Sequence, residues 1–308
     1  MMVRGQRPRP AVPMLRRALL HVQGDIRWQE PLAPLTSLQV GGPADVLVIP
    51  SDVEDVVHVV RGARLGKIPL TVLGGTNVVV RDKGIRGIVM SLKALTSIYE
   101  EANQLVYTQA GVRLPRLMQF ALGRKLSGME WAAGIPGTVG GGVAMNAGTR
   151  LGEMKNVLKA VDLVTIHGKR KRVEASTLSF IYRKTILPKG IVVGAWLQLT
   201  TAMKGTIQSV TKDYLHYRKT TQPLTLPNAG SVFKNPIGDS AGRLIEAAGL
   251  KGLQIGDAEV STKHANFIVN RGAATAEQVL SLVRKVRGRV ARKFGVRLQL
   301  EWKVIGER

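Results

Sequence analysis

No cysteine occurs in the 308 residues. That excludes disulfides, a thiolate nucleophile and cysteine-built metal sites, and it suits a cytoplasmic protein. Aromatic residues are scarce, at 5%. Acids are outnumbered, 21 against 45 Lys and Arg, which leaves a net charge of +24. No apolar run approaches the ~20 residues needed to cross a bilayer, so no membrane insertion is expected. The basic, proline-containing stretch from Met1 to Arg17 is followed by no apolar core segment, which argues against a signal peptide. The five histidines (His21, His58, His167, His216, His264) never fall three or four residues apart and have no acidic cluster beside them. No metal site is therefore expected. The nucleophile elbow Gly-x-Ser-x-Gly and the dinucleotide fingerprint Gly-x-Gly-x-x-Gly are both missing.

The positive charge admits three partners: nucleic acid, a membrane surface or an anionic small substrate. Arg284 to Arg297 holds seven basic residues and no acid. Val279, Val283, Val286, Val290 and Phe294 recur there at helical spacing, which predicts an amphipathic helix with a basic outer face. Aromatic residues are not interleaved with those charges, so the stacking surface of a single-strand binder is absent and no nucleic-acid partner is expected.

Glycine is where the sequence is rich. The stretch Gly134-Ile135-Pro136-Gly137-Thr138-Val139-Gly140-Gly141-Gly142, with Asn146-Ala147-Gly148 just after it, packs six of the 34 glycines into fifteen residues. Such a cluster serves a tight core crossing or the close approach of a ligand, and alone it favours the crossing. Two further loops shift the balance: Gly74-Gly75-Thr76-Asn77, and Asn228-Ala229-Gly230-Ser231-Val232-Phe233-Lys234-Asn235. The first can turn backbone N–H groups and the Thr76 hydroxyl toward a phosphate, or be an ordinary turn. The second flanks the Ser231 hydroxyl with one cation and two amides, which suits proton delivery beside a phosphate or a solvated turn. Arg183, beside Tyr182, suits a carboxylate or a developing enolate, although a lone Arg is more often a surface charge. Glu301 alone reads as an exposed strand residue.

Taken in order, the chain opens with a basic lead-in and a short helix from about Met14 to Val22, and regular order is expected to begin at Leu35. The strand Val46 to Ile49 follows, then a helix from Ser51 with Glu54 completing its capping box. The strand Leu70 to Leu73 runs into the Gly74 turn and a second apolar run, Val78 to Val80. Because that turn leads into a strand, a Rossmann site is not supported. Strands are expected near 87–92, 104–111, 160–167, 172–174 and 191–200, with a helix from Leu114 to Leu126. From about Thr206 come a helix to Arg218, a proline-containing loop, a short helix at Ala241 to Leu250, a strand at Asn266 to Val269 and the basic helix capped by Thr275 and Gln278. The alternating segment Leu298 to Ile305 closes the chain as a strand.

These pieces, in this order, resemble the UDP-N-acetylenolpyruvoylglucosamine reductases, the MurB-type flavoproteins. The matching segments are Thr36 to Asp45, Gly74 to Asn77, Gly128 to Gly141, Met145 to Gly148, Tyr182-Arg183, Asn228 to Pro236, Ala241 to Glu246, Val260 to Asn270 and Leu300-Glu301. Each is weak alone, whereas the colinear set is specific. The length matches the shorter form of the family, without an inserted substrate-capping loop. Two departures are visible. Leu73-Gly-Gly-Thr-Asn77 is one residue shorter than the usual loop, and Arg150 stands where an aromatic is common.

The resemblance implies an α+β fold: a two-subdomain FAD-binding domain of the vanillyl-alcohol oxidase (PCMH) type, then a smaller α+β substrate-binding domain. It places a basic lead-in at 1–35, the FAD domain at 36–205 and the substrate domain at 206–308, with the terminal strand returning to the flavin. It implies that NADPH reduces FAD, and that FAD reduces UDP-N-acetylglucosamine enolpyruvate to UDP-N-acetylmuramate for peptidoglycan. Ser231 would be the proton donor, with Arg183 and Glu301 its catalytic companions. Gly74, Gly75, Thr76, Asn77, Gly134, Ile135, Pro136, Gly137, Thr138, Gly140, Gly141 and Gly142 would cradle the flavin. Tyr182, Lys234 and Asn235 would bind substrate. Another FAD-dependent oxidoreductase of the same fold and a basic nucleic-acid binder are the alternative readings.

Overall fold

The computed structural model describes residues 10–308; the first nine residues of the basic lead-in lie outside the described residues. Helix α1 (Val12–Ala18) lies on helix α2 (Val53–Leu65), so closely that a Cβ on Gly62 would sit 1.9 Å from the Ala18 carbonyl oxygen. Only a residue without a side chain permits that crossing. α2 joins the first sheet, a four-stranded layer ordered Asp25–Trp28, Ala44–Ile49, Ile85–Met90, Leu70–Val72. The last three strands are parallel. The first is antiparallel and pairs Asp25 with Ile49, so regular order begins ten residues before Leu35, where the sequence placed it. That edge strand alternates polar and half-buried residues too weakly to be seen in isolation. The α2 cap also differs from expectation. Asp52 is the N-cap and accepts from the Asp55 N–H, while the buried Asp55 carboxylate accepts from Gln23 N and from Ser51 N and Oγ. Ser51 supports Asp55 rather than capping the helix through Glu54.

The second layer is a five-stranded antiparallel sheet ordered Arg170–Glu174, Leu158–Thr165, Gly190–Gln198, Leu105–Gln109, Ile98–Glu100. Helices α3 (Leu114–Gly123) and α4 (Val139–Ala144) bring Leu114, Leu117, Val139 and Val143 into the apolar core this sheet shares with the first. α4 is built from the glycine stretch itself. A Cβ on Gly140 would lie 2.9 Å from that of Ala110, and one on Gly142 would meet Met154 and Leu114 at 3.1 and 3.5 Å. The core-crossing reading thus holds for these two glycines. Along the sheet, Tyr99, Tyr107 and Trp196 stack across neighbouring strands beneath Arg172.

Helix α5 (Lys204–Thr221) leads to a second core. Here an antiparallel sheet ordered Asn228–Ser231, Phe267–Asn270, Ala258–Val260, Gln254–Ile255 packs with α6 (Ala241–Ala247) and α7 (Ala276–Phe294). In α7 Val279, Val283, Val286 and Val290 are buried and its arginines face out. Thr275 and Gln278 form the expected capping box. Asp82, from between the strands Val78–Val80 and Ile85–Met90, accepts from Ala276 N and Glu277 N and so secures the same helix end. Of the segment Leu298 to Ile305, only Lys303–Ile305 is a strand, and it runs parallel to Val78–Val80.

Candidate active site

The two glycine loops meet. Gly137, at φ +115°, points its missing Cβ at Thr76 Oγ1, 2.9 Å away, and Gly75, at φ +79°, lies against the Leu35 carbonyl oxygen at 2.4 Å. Neither position accepts a side chain without strain. Gly74 is different: nothing stands within 4 Å of where its Cβ would be, and Gly141 has only Thr138 Oγ1 at 3.9 Å. Gly75 and Gly137 are thus held tightly against neighbouring atoms, while Gly74 and Gly141 leave an open cradle beside the two loops. The backbone N–H groups of Val139 and Gly140 donate to Val112 and Ala110, so they do not contribute to an anion nest. Pro136 is exposed and Ile135 packs partly against the main core.

Beside this cradle three segments converge. Asn77 Nδ2 donates to the Glu301 carbonyl oxygen at 3.3 Å and touches Met145 Sδ at 3.8 Å, at the end of α4. The hairpin Ser179–Ile181/Lys184–Ile186 is pinned to α4 by the Thr185 hydroxyl, which donates to Val143 O. Its tip holds Tyr182, 52% exposed, and Arg183, at φ +58°. A non-glycine residue in that region is uncommon and carries some strain, although seven other non-glycine residues of the chain share it. Arg183 Nε reaches Glu301 Oε1 at 3.4 Å, and its guanidinium lies 5.1 Å from the centre of the Tyr182 ring.

The third segment carries Ser231. Its strand pairs Ser231 with Phe267, then leaves that neighbour and crosses to the 299–301 segment. There Lys234 N donates to Gln299 O at 2.9 Å and Glu301 N donates to Val232 O at 2.8 Å. Ser231 and Glu301 therefore lie on adjoining, hydrogen-bonded segments. Burial pushes the Glu301 carboxyl above its ordinary value, against the opposing pull of Arg183 and Lys234. Gly230, at φ +76°, has open space around it. Asn235 is more distant in role, since its Oδ1 accepts from Ala241 N at 3.1 Å at the start of α6.

Asn266 has no role in the sequence reading. It is 4% exposed, and its side chain binds the Phe233 backbone twice: Oδ1 accepts from Phe233 N at 2.9 Å and Nδ2 donates to Phe233 O at 2.8 Å. Its own carbonyl accepts from Val232 N. It thus substitutes for a missing strand neighbour where the Ser231 segment changes partners. His264 Nδ1 accepts from Asn266 N at 3.2 Å, and burial lowers the affinity of His264 for a second proton. Among the described residues no group of three or more metal-binding side chains forms. A cavity of about 410 Å³, lined by Val53, Tyr107, Asp162 and Arg172, holds none of these residues.

Two family models match the chain. An FAD-binding domain covers residues 44–174 and the C-terminal domain of UDP-N-acetylenolpyruvoylglucosamine reductase covers 222–305. UDP-N-acetylenolpyruvoylglucosamine reductase 2 of Symbiobacterium thermophilum is 44% identical over 94% of this chain and 95% of its own length. The corresponding reductase of Moorella thermoacetica is 45% identical over 90% of this chain and 92% of its own length. The crystal structure of UDP-N-acetylenolpyruvylglucosamine reductase from Thermus caldophilus superimposes with a TM-score of 0.78 at 40% identity. It covers 92% of this chain and 98% of the other.

Proposed function

Because the chain belongs to the UDP-N-acetylenolpyruvoylglucosamine reductase family, an FAD-dependent oxidoreductase family of peptidoglycan synthesis, we propose that its site works as follows. NADPH is the electron donor, UDP-N-acetylglucosamine enolpyruvate the acceptor, and the reaction is cytoplasmic. Bound FAD supplies the hydride. The carrying observation is that Arg183, at the hairpin tip, lies in contact with Glu301, whose backbone is hydrogen-bonded both to the Ser231 segment and to Asn77 at the end of the glycine cradle.

Hydride and a proton add across the enolpyruvyl double bond. Ser231 is the proton donor, from the strand beside Glu301. A serine hydroxyl is a weak acid at neutral pH, so it delivers a proton only to a carbon on which negative charge is building. Arg183 neutralises the substrate carboxylate and the enolate character behind it. Burial raises the Glu301 carboxyl against the pull of Arg183 and Lys234, which eases its protonation beside the substrate carboxylate. Lys234 brings a second cation to the same corner, and Tyr182 flanks it from the hairpin tip. Gly74, Gly75, Thr76, Asn77, Gly134, Gly137, Thr138 and Gly141 border the cofactor, while Gly140 and Gly142 hold α4 against the core. In the same proposal residues 36–205 form the FAD domain, joined by α1 and the strand Asp25–Trp28 from the lead-in, and 206–308 the substrate domain. No helix among the described residues is long and apolar enough to cross a membrane.

The test combines colour and half-reactions. The purified protein, given FAD if necessary, is expected to show flavin absorbance and to oxidise NADPH in the presence of the enolpyruvyl substrate. In Ser231→Ala, NADPH should still bleach the flavin, while reoxidation by the substrate falls about 10²- to 10⁴-fold. Absence of flavin absorbance after FAD addition sinks the reading. Wild-type reoxidation in Ser231→Ala removes the proton-donor role.

A further inference from the structure

The loop Gly74–Asn77 is held from two directions. Its far end is fixed by the terminal segment, since Asn77 Nδ2 donates to Glu301 O and Lys303 N donates to Asn77 O at 3.1 Å. Its near end is fixed by Ser37. The Ser37 backbone N–H donates to Gly75 O at 2.8 Å, and its hydroxyl donates to Thr76 O at 3.3 Å. Glycines bring little stiffness of their own, so the near end is only as well placed as Ser37 is.

Ser37 belongs to no helix or strand; it lies in a turn closed by the Gln39 N–H, which donates to Thr36 O at 3.1 Å. Gln39 takes φ +55°. Leu38 and Val40 are buried in the second core, with the substrate-side residues, rather than in the first. Asn270 grips this turn from that side. It is 1% exposed, and its Nδ2 donates to Leu38 O at 3.1 Å and to Gln39 O at 3.4 Å. Its Oδ1 accepts from Gly272 N at 2.9 Å and Ala274 N at 3.0 Å. Both amide hydrogens and both acceptor sites of the side chain are thus in use, a pattern only a carboxamide of this length supplies.

Asn270 ends the strand Phe267–Asn270, and at the other end Phe267 is paired with Ser231. One short strand therefore carries the neighbour of Ser231 at one end and the grip on the Ser37 turn at the other. A hydrogen-bonded strand changes length little, so three residue steps act as a spacer of roughly 10 Å.

We propose that Asn270 is a positioning residue. Acting through the Leu38 and Gln39 carbonyls and then Ser37, it sets Gly75 and Thr76, and with them the flavin, at a fixed distance from Ser231. This rests on the function proposed above, in which the loop borders FAD and Ser231 delivers the proton.

The experiment compares wild type with Asn270→Ala, Asn270→Asp, Ser37→Ala and Val290→Ala. Asn270→Asp keeps the acceptor for Gly272 and Ala274 and loses the donors to Leu38 and Gln39. Val290→Ala opens the same core at a distance from the turn and is the control for general destabilisation. FAD affinity is measured on reconstitution of the apoprotein, with apoprotein melting and amide hydrogen exchange at 36–40 and 74–77 in parallel. Both Asn270 variants should lose FAD affinity about tenfold and exchange faster at 74–77, with a fall of about three- to tenfold in Ser37→Ala. Val290→Ala should melt lower yet stay within about twofold of wild type in FAD affinity. At saturating FAD, reoxidation by the enolpyruvyl substrate should slow about tenfold in the Asn270 variants. FAD affinity within about twofold of wild type in both Asn270 variants would overturn the proposal. So would a loss in Val290→Ala equal to theirs at an equal loss of melting temperature, which marks general loosening. Should neither Asn270 variant yield folded protein, wild-type FAD affinity and loop exchange in Ser37→Ala refute it. The affinity and exchange arms need no turnover. Weaker FAD binding with a faster loop upholds Asn270 even in a protein that fails to reduce the enolpyruvyl substrate, and unchanged binding with normal turnover removes Asn270 while the proposed function stands.

Discussion

Replacing Asn266 with alanine removes two hydrogen bonds at the point where the Ser231 segment changes partners. The Phe233 N–H and carbonyl lose their acceptor and donor together, in a site where Phe233 is 1% exposed and water cannot easily replace them. Each buried group left unpaired costs about 1–3 kcal/mol. The Val232 N–H bond to the Asn266 carbonyl survives, because it uses backbone only. A total of about 2–6 kcal/mol follows, which at about 2–4 °C per kcal/mol lowers Tm by roughly 4–24 °C. Asn266→Asp should be no better, because a carboxylate still accepts from Phe233 N but repels its carbonyl oxygen. The assay is thermal unfolding of the holoprotein followed by the two half-reactions. NADPH-driven flavin reduction should be near wild type, since the hydride donor does not need Ser231. Reoxidation by the enolpyruvyl substrate should slow, because Ser231 and Glu301 are held in register through Val232 and Phe233. An Asn266→Ala protein that melts within about 1 °C of wild type and reoxidises at the same rate would refute the clamp.

Three other outcomes are expected. The folded-state pKa of Glu301 is raised, so its contribution to stability is present below the ordinary carboxylate value and is lost as pH rises through the raised one. Glu301→Gln should therefore lose activity yet melt higher than wild type at neutral pH, with the gain shrinking as pH falls toward 4.5; a gain that grows toward acid would contradict this. Gly74→Ala should leave apoprotein melting unchanged and weaken FAD binding, because its Cβ enters open space in the cradle. Gly137→Ala should cost about 1–3 kcal/mol in the apoprotein itself, since φ is +115° and Thr76 Oγ1 is 2.9 Å away. Equal FAD affinity in Gly74→Ala and wild type would remove that loop from the cofactor's border.

What the sequence shows well is what depends on local spacing. The valine stripe and capping box of α7 are legible because helix period and cap geometry are written within four residues. The loops Gly74–Asn77 and Asn228–Asn235 are legible as unusual, and their colinear order points to the family. What the sequence hides depends on partners far along the chain. The glycine stretch becomes helix α4, although glycine is a poor helix former, because Gly140 and Gly142 let it sit hard against Ala110 and Met154. Ser51 and Asp52 are both plausible caps, and the choice is made by Gln23, whose N–H draws on the Asp55 carboxylate. Arg183 and Glu301 are ordinary charged residues until the fold sets them 3.4 Å apart. Asn266 lies within a segment that matches the family, but its clamp on Phe233 is not legible there, since a buried polar side chain is recognised only by what surrounds it.

The pairing of Val78–Val80 with Lys303–Ile305 also bears on how the enzyme is made. The strand that continues the Gly74–Asn77 loop is buried and has its ladder partner 225 residues further along the chain, from Val78 to Lys303. On the ribosome that loop emerges early and must wait, with one arm unpaired, until residue 305 is available. Closing so long a loop is entropically slow. A chain cut short before Lys303 leaves the strand that continues the Gly74–Asn77 loop without its parallel partner.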